Sequence, residues 1–262
     1  MFIDIPIVLW GNLMATSISS VTQRGTSEPF ELQVARGQIA LHEPLFKYGY
    51  NPLIINVEET IWDVGGSYSF IATAAPLVVT SASGATDAGV TGVVQGLDSN
   101  YNEISEAFTL NGSGTYTTEL SFYRAHRAYI TGASEPAGNI NFTIGATTYA
   151  RITAGENQTL MAVYTVPAGK TLYVGANTAT HGTDTSGAFI TVRFKVRNEG
   201  SVFRTATKID MIGGEILFPY QFPLKVPEKS DIQFTAICNK NQNNAIAATI
   251  DGVLIKEGGS LE

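Results

Sequence analysis

The run Ile-Thr-Val-Arg-Phe-Lys-Val-Arg, residues 190–197, alternates without a break. Ile190, Val192, Phe194 and Val196 fall on one side of an extended chain, with Thr191, Arg193, Lys195 and Arg197 on the other. A period of two in branched and aromatic residues predicts a half-buried strand, because successive side chains of extended backbone point to opposite faces. Moving outward, INFTI repeats the pattern with Ile140, Phe142 and Ile144, and IQFTA repeats it with Ile232 and Phe234. Turn signals separate the runs: Asn111-Gly112, Gly145-Ala146-Thr147, Pro167 to Lys170, Gly213-Gly214 and Asp251-Gly252. Short strands recurring about every ten residues mark a sandwich or a barrel.

Helix is nearly absent from the pattern. The best candidate is PFELQVARGQIALHEP, from Pro29 to Pro44, but Gly37 interrupts it and its apolar residues form no clean stripe. The predicted architecture is therefore all-β, with two antiparallel β-sandwich (jelly-roll-like) domains and an extended N-terminal arm. The arm covers residues 1–46. The first sandwich covers 47–149 and is rich in Ala, Gly, Ser and Thr; the second covers 150–262, with more regular strands and more Arg and Lys. The low-complexity stretch SASGATDAG, Ser81 to Gly89, reads as a mobile loop.

Composition sets further bounds. A length of 262 residues suits two β-domains of ordinary size. Charged residues make up only 15%, against roughly 25% in soluble domains. A surface so weakly charged is either partly covered by other chains or simply rich in Thr, Ser and Asn. The net charge of −7 is diffuse, which argues against a nucleic-acid partner, because neutralising phosphates takes clustered Lys and Arg. No apolar run approaches the roughly 18 residues of a membrane-spanning helix. The N-terminal MFIDIPIVLWGNLM is broken by Asp4 and Pro6 and has no basic stretch before it, so no signal peptide is expected. The single cysteine, Cys238, excludes an internal disulfide and reads as a small buried hydrophobe. These features predict a soluble chain made in a reducing cytoplasm.

Candidate chemistry is sparse. YRAHRAYI, Tyr123 to Ile130, gathers two arginines and a histidine. As a strand it puts Arg124 and His126 on one face and Arg127 on the other, so the groups diverge. The arginines are expected to pair with acids of the same domain, namely Glu103, Glu106 or Glu119. His42 and His181 are isolated in sequence, and a zinc site needs three or four convergent ligands. No nucleophile elbow, P-loop or dinucleotide-binding glycine pattern is present. DSNYNE places Asp98, Asn100 and Asn102 like the start of a calcium loop, yet Glu103 and Thr109 stand where that loop needs Gly and Glu. An Asp/Asn-stabilised turn fits better. Glu58 and Glu59 are adjacent, so on a strand they point apart, unlike the paired carboxylates of a glycosidase. The sequons at Asn111, Asn141 and Asn157 carry no weight without a secretory signal. With only Trp10 and Trp62 as tryptophans, an aromatic sugar platform is a minor reading. No catalytic, cofactor-binding or metal residue is predicted, and no cofactor.

One combination of segments is more specific. FKYGYNPLI (Phe46 to Ile54), EETIWDVGGSY (Glu58 to Tyr68), GLDSNYNEISEAFTLNG, SFYRAHRAYITGA, ITAGENQTLMAVYTVPAGKTLYV and PLKVPEKSDI occur in this order. Together they resemble virion structural proteins of tailed bacteriophages, including marine and cyanobacterial phages. The resemblance runs from about Phe30 to the C-terminus. It implies a non-enzymatic particle component built from β-sandwich modules, with no catalytic residues to transfer. The expected role is capsid decoration or cementing of the head. A tail or head-tail component (adaptor, baseplate or fibre base) is the alternative, and a glycan-binding receptor module is less favoured. Expected partners are the major capsid protein or other virion proteins, with a homo-oligomer, taken as a trimer, and neither nucleic acid nor membrane.

Overall fold

The computed structural model describes residues 28–182, 187–241 and 244–256. The first 27 residues of the predicted arm lie outside them. The rest of that arm is a short helix followed by the start of a paired strand. Phe30–Ala35 forms a helix, α1, which seats Val34 with 1% exposure and stops at Gly37, whose φ is +66°. His42–Asn51 then forms a strand, β1.

Two sandwiches follow, each with its own core. The first is continuous in sequence. One of its sheets holds β3 (Ala75–Ser81), β6 (Thr115–Phe122), β8 (Ile140–Ile144) and β9 (Thr147–Ile152), in the order β6-β3-β8-β9. The other holds β4 (Thr91–Leu97), β5 (Glu103–Thr109) and β7 (Arg124–Ile130), in the order β5-β4-β7. Phe108, Phe122, Phe142, Leu77 and Val94 fill the space between them, with Phe108 and Phe142 packed edge to face at 5.5 Å.

The second sandwich is discontinuous. β1 pairs with β16 (Ala245–Lys256) from His42↔Ile255 to Asn51↔Ile246. β11 (Lys170–Gly182) and β14 (Gly214–Val226) complete that sheet in the order β1-β16-β11-β14. Facing it are β10 (Val163–Thr165), β15 (Asp231–Cys238), β12 (Ile190–Arg197) and β13 (Arg204–Met211), with β2 (Glu59–Thr60) beside β15. Phe194, Phe234, Ile190, Val192 and Ile232 are buried between the sheets. Cys238 lies in the same core at 1% exposure.

The all-β, double-sandwich expectation holds, and the alternation of β8, β12 and β15 lands its apolar residues inside. The expected boundaries at 46/47 and 149/150 instead fall within β1 and β9. The physical reason is the long-range pairing of β1 with β16, which draws residues 42–60 into the second core and leaves the first sandwich as an insertion. The connections lie side by side, since Trp62 bridges to Met161 and Ala162 N–H donates to Ile61 O at 3.0 Å.

Two local expectations also change. Asp251-Gly252 is not a turn but the middle of β16. Glycine is needed there because a Cβ at Gly252 would stand 2.6 Å from Tyr173 O. Ser81 to Gly89 is a pinned loop containing a short 3-10 helix, Gly84–Asp87. Buried Asp87 accepts hydrogen bonds from Ser81 Oγ, Ala137 N at 2.7 Å and Gly138 N at 3.1 Å.

Candidate functional site

The two sandwiches meet over a buried polar junction built on β7. Arg124, 4% exposed, crosses to the second sandwich. Its Nε donates to Asp231 Oδ1 at 2.9 Å and to Thr165 Oγ1 at 3.1 Å. Nη1 donates to Ile71 O and Tyr123 O, at 3.0 and 2.7 Å. Asp231 also accepts from Thr165 Oγ1 and from Arg197 Nη2 at 2.6 Å. Phe70 lies beneath both guanidinium groups, 5.2 Å from Arg124 and 4.7 Å from Arg197. Burial of a charge is offset by pairing and hydrogen bonds, and this cluster supplies both.

The pairing corrects the sequence expectation, because none of Glu103, Glu106 and Glu119 holds Arg124. Glu103 and Glu43 clasp Lys170, at 2.6 and 2.7 Å. Glu106 accepts from the backbone N–H groups of Glu119 and Leu120 and from Tyr116 OH. Arg127 is exposed and stands 4.9 Å over the ring of Tyr129. The divergence of Arg124 from Arg127 is as expected.

His126 sits beside this cluster at 8% exposure, 4.4 Å from the ring of Tyr164. Its Nε2 accepts from Thr165 N–H at 3.2 Å, so the ring is neutral there. Burial, followed by the charges of Lys47 and Arg124, holds its pKa well below 6.5. Lys47 enters from β1, also 8% exposed, and donates to His126 O. Burial first, then Arg127, lowers its pKa to about 7.

These residues edge a cleft of about 670 Å³ between the sandwiches, lined among others by Lys47, Arg127, Gln95, Gln158 and Tyr164. Lys47, Thr165 and Asp231 were not singled out from sequence, and no local signal links Arg124 to an acid 107 residues away.

Other sequence candidates stay apart. Glu58 accepts from Lys195 Nζ at 2.5 Å, while Glu59 accepts from Asn51 Nδ2 at 3.1 Å. Asp98 Oδ1 accepts from the N–H groups of Asn100 and Asn102, at 2.8 and 2.9 Å, which makes a turn. His42 contacts Ala40 O, and His181 Nδ1 accepts from Gly213 N–H at 3.1 Å. Among the described residues no group of three His, Cys, Asp or Glu could hold a metal ion. No helix among them is long and apolar enough to cross a membrane.

Exposed apolar side chains lie elsewhere. β13 and β14 are edge strands of opposite sheets. On and between them Ile212, Phe222 and Leu217 are 84%, 82% and 61% exposed. Pro219 and Pro223 lie in β14, and proline at an edge blunts the addition of another strand.

No family model and no curated protein matches the chain. Among solved structures it is similar to one described as the structure of infectious bursal disease virus, Gx strain. The identity is 12% over 84% of this chain and 73% of that one, with a TM-score of 0.27. It is also similar to the VP2 subviral particle of that virus, at 12% identity over 83% and 73% of the two chains, with a TM-score of 0.24. Likeness at this level carries no argument. The class of the molecule, an all-β double sandwich, rests on its own sheets.

Proposed function

We propose that the chain is a non-enzymatic virion structural protein of the capsid decoration or cement type, attaching to the major capsid protein and stabilising the head. The observation that carries this reading is the apolar edge of β13 and β14, where Ile212, Leu217 and Phe222 stand in solvent. Large apolar side chains left in solvent along one edge strand and its turn offer a surface for contact. The prolines of β14 restrict that contact to side-chain packing instead of strand addition. The 15% charged content and the ordered resemblance to tailed-phage virion proteins support the same reading. Repeated copies on a symmetric shell add avidity, so each contact can be modest. A trimer suits a position at a symmetry axis, and light scattering of the purified chain measures it.

The test mixes purified chain with emptied heads and follows co-sedimentation and head melting. Binding with a raised melting temperature is expected, and Phe222→Asp with Leu217→Asp abolishes both while leaving the circular dichroism unchanged. Absence of binding, or binding indifferent to both substitutions, overturns the decoration role. Immunogold labelling confined to the tail would move the chain to the adaptor or baseplate reading.

A further inference from the structure

The cleft between the sandwiches plays no part in the attachment described above. We propose that it binds a small ligand through a single carboxylate, held between the Lys47 ammonium and the Arg127 guanidinium. Lys47 is almost fully enclosed, yet His126 O is its one hydrogen-bond acceptor among the described residues. An ammonium has three N–H donors, so two remain for a guest. Arg127 lines the same space. Among the described residues neither cation is ion-paired, since the eight salt bridges all involve other groups.

Charge selects the class of guest. Glu43 and Glu103 also line the cleft and are bridged by Lys170. With its ammonium protonated, Lys47 joins Arg127 in facing these two carboxylates, which Lys170 already clasps from outside the lining. The balance of one positive charge suits a monoanion, and the acids repel a doubly charged phosphate. A guanidinium fork matches the planar carboxylate with two parallel hydrogen bonds. His126 is neutral and Tyr164, raised by burial and then by Glu103 and Glu43, keeps its proton, so below pH 7 neither alters this balance. Burial and the Arg127 charge set Lys47 at about 7, so an anion beside it is held best when the ammonium is protonated. The volume suits a compact organic acid. The amides of Gln95 and Gln158 could serve the hydroxyls of a sugar acid or those of a simple hydroxy acid.

Isothermal titration of the purified chain with galacturonate, lactate, neutral galactose and inorganic phosphate tests the assignment. At least one of the two carboxylates is expected to bind saturably at millimolar concentration, while galactose does not. Apparent affinity falls about tenfold between pH 6 and pH 8 as Lys47 loses its proton. Lys47→Met and Arg127→Gln each weaken binding about tenfold or more, and thermal melts show that both variants fold. Preference for galacturonate identifies an acidic saccharide, and equal binding of lactate a general monocarboxylate. No saturation by either acid, phosphate binding as tight as carboxylate, or unchanged affinity in both variants overturns the proposal. The readout needs no particle, so its failure leaves the virion reading untouched.

Discussion

The two sandwiches bury similar sets of aliphatic and aromatic side chains but reach them by different routes. The first runs from Ala75 to Ile152 without leaving its own two sheets. The second needs β1 and β16, from opposite ends of the chain, to find each other before its outer sheet exists. Closing so long a loop costs chain entropy that local pairing avoids. The junction ties the two sandwiches together: Arg124, from the inserted sandwich, pairs with Asp231 on β15 of its host. The insertion therefore does more than interrupt the host, because it supplies a counter-charge to the host core.

The largest test of this contrast removes that counter-charge. Arg124→Met leaves Asp231 with Arg197 alone, and is expected to lower the unfolding free energy by about 3–5 kcal/mol. Peptide-resolved hydrogen exchange in denaturant should then show the sandwiches opening in separate steps. Simultaneous opening would mean that the junction does not couple them.

In that background Phe142→Ala and Phe194→Ala should each cost about 3–4 kcal/mol. Each change should depress protection only in its own sandwich, because each phenylalanine sits in a separate core. A smaller effect, about 1–3 kcal/mol, is expected from Gly49→Ala in β1. A Cβ there would stand 2.5 Å from Ile61 O and closer still to Ala162 N. Equilibrium unfolding measures it, and no change would place β1 farther from the insertion points.

The smallest effect has the opposite sign. Lys47 is lowered from 10.5 to about 7 in the fold, so between these values the unfolded chain holds the extra proton. The lysine therefore costs stability fully below pH 7, and the cost fades as pH rises toward 10.5. Lys47→Met should raise stability by about 1–2 kcal/mol at pH 6, with the gain shrinking by pH 10. A gain that does not change with pH would reflect packing alone.

Much of the fold was legible because it is local. Ile190, Val192 and Phe194 reached the core that their alternation predicts, and Gly145 and Gly169 took the positive φ that their turns require. The sandwich limits were not legible, since nothing within residues 42–51 announces a partner beyond residue 244. The site was hidden for a related reason. In FKYGY the alternation favours the aromatics as the inward face, yet Phe46 is 62% exposed and Lys47 8%. Lys47 shares its side of β1 with Leu45, which belongs to the host core, and the inserted sandwich reaches it at His126 O; strand periodicity cannot encode a neighbour that arrives later in the chain.

The bridge between Trp62 and Met161 has a consequence for engineering and for evolution. Chain leaves and re-enters the host sheet at neighbouring points, so the segment between them resembles a cassette in a socket. A short turn joining those two positions would keep the host strands in register, and a different module could be spliced there without redrawing the host. Asp231 sets the condition on such a graft: it must bring its own cation, or the host must do with Arg197.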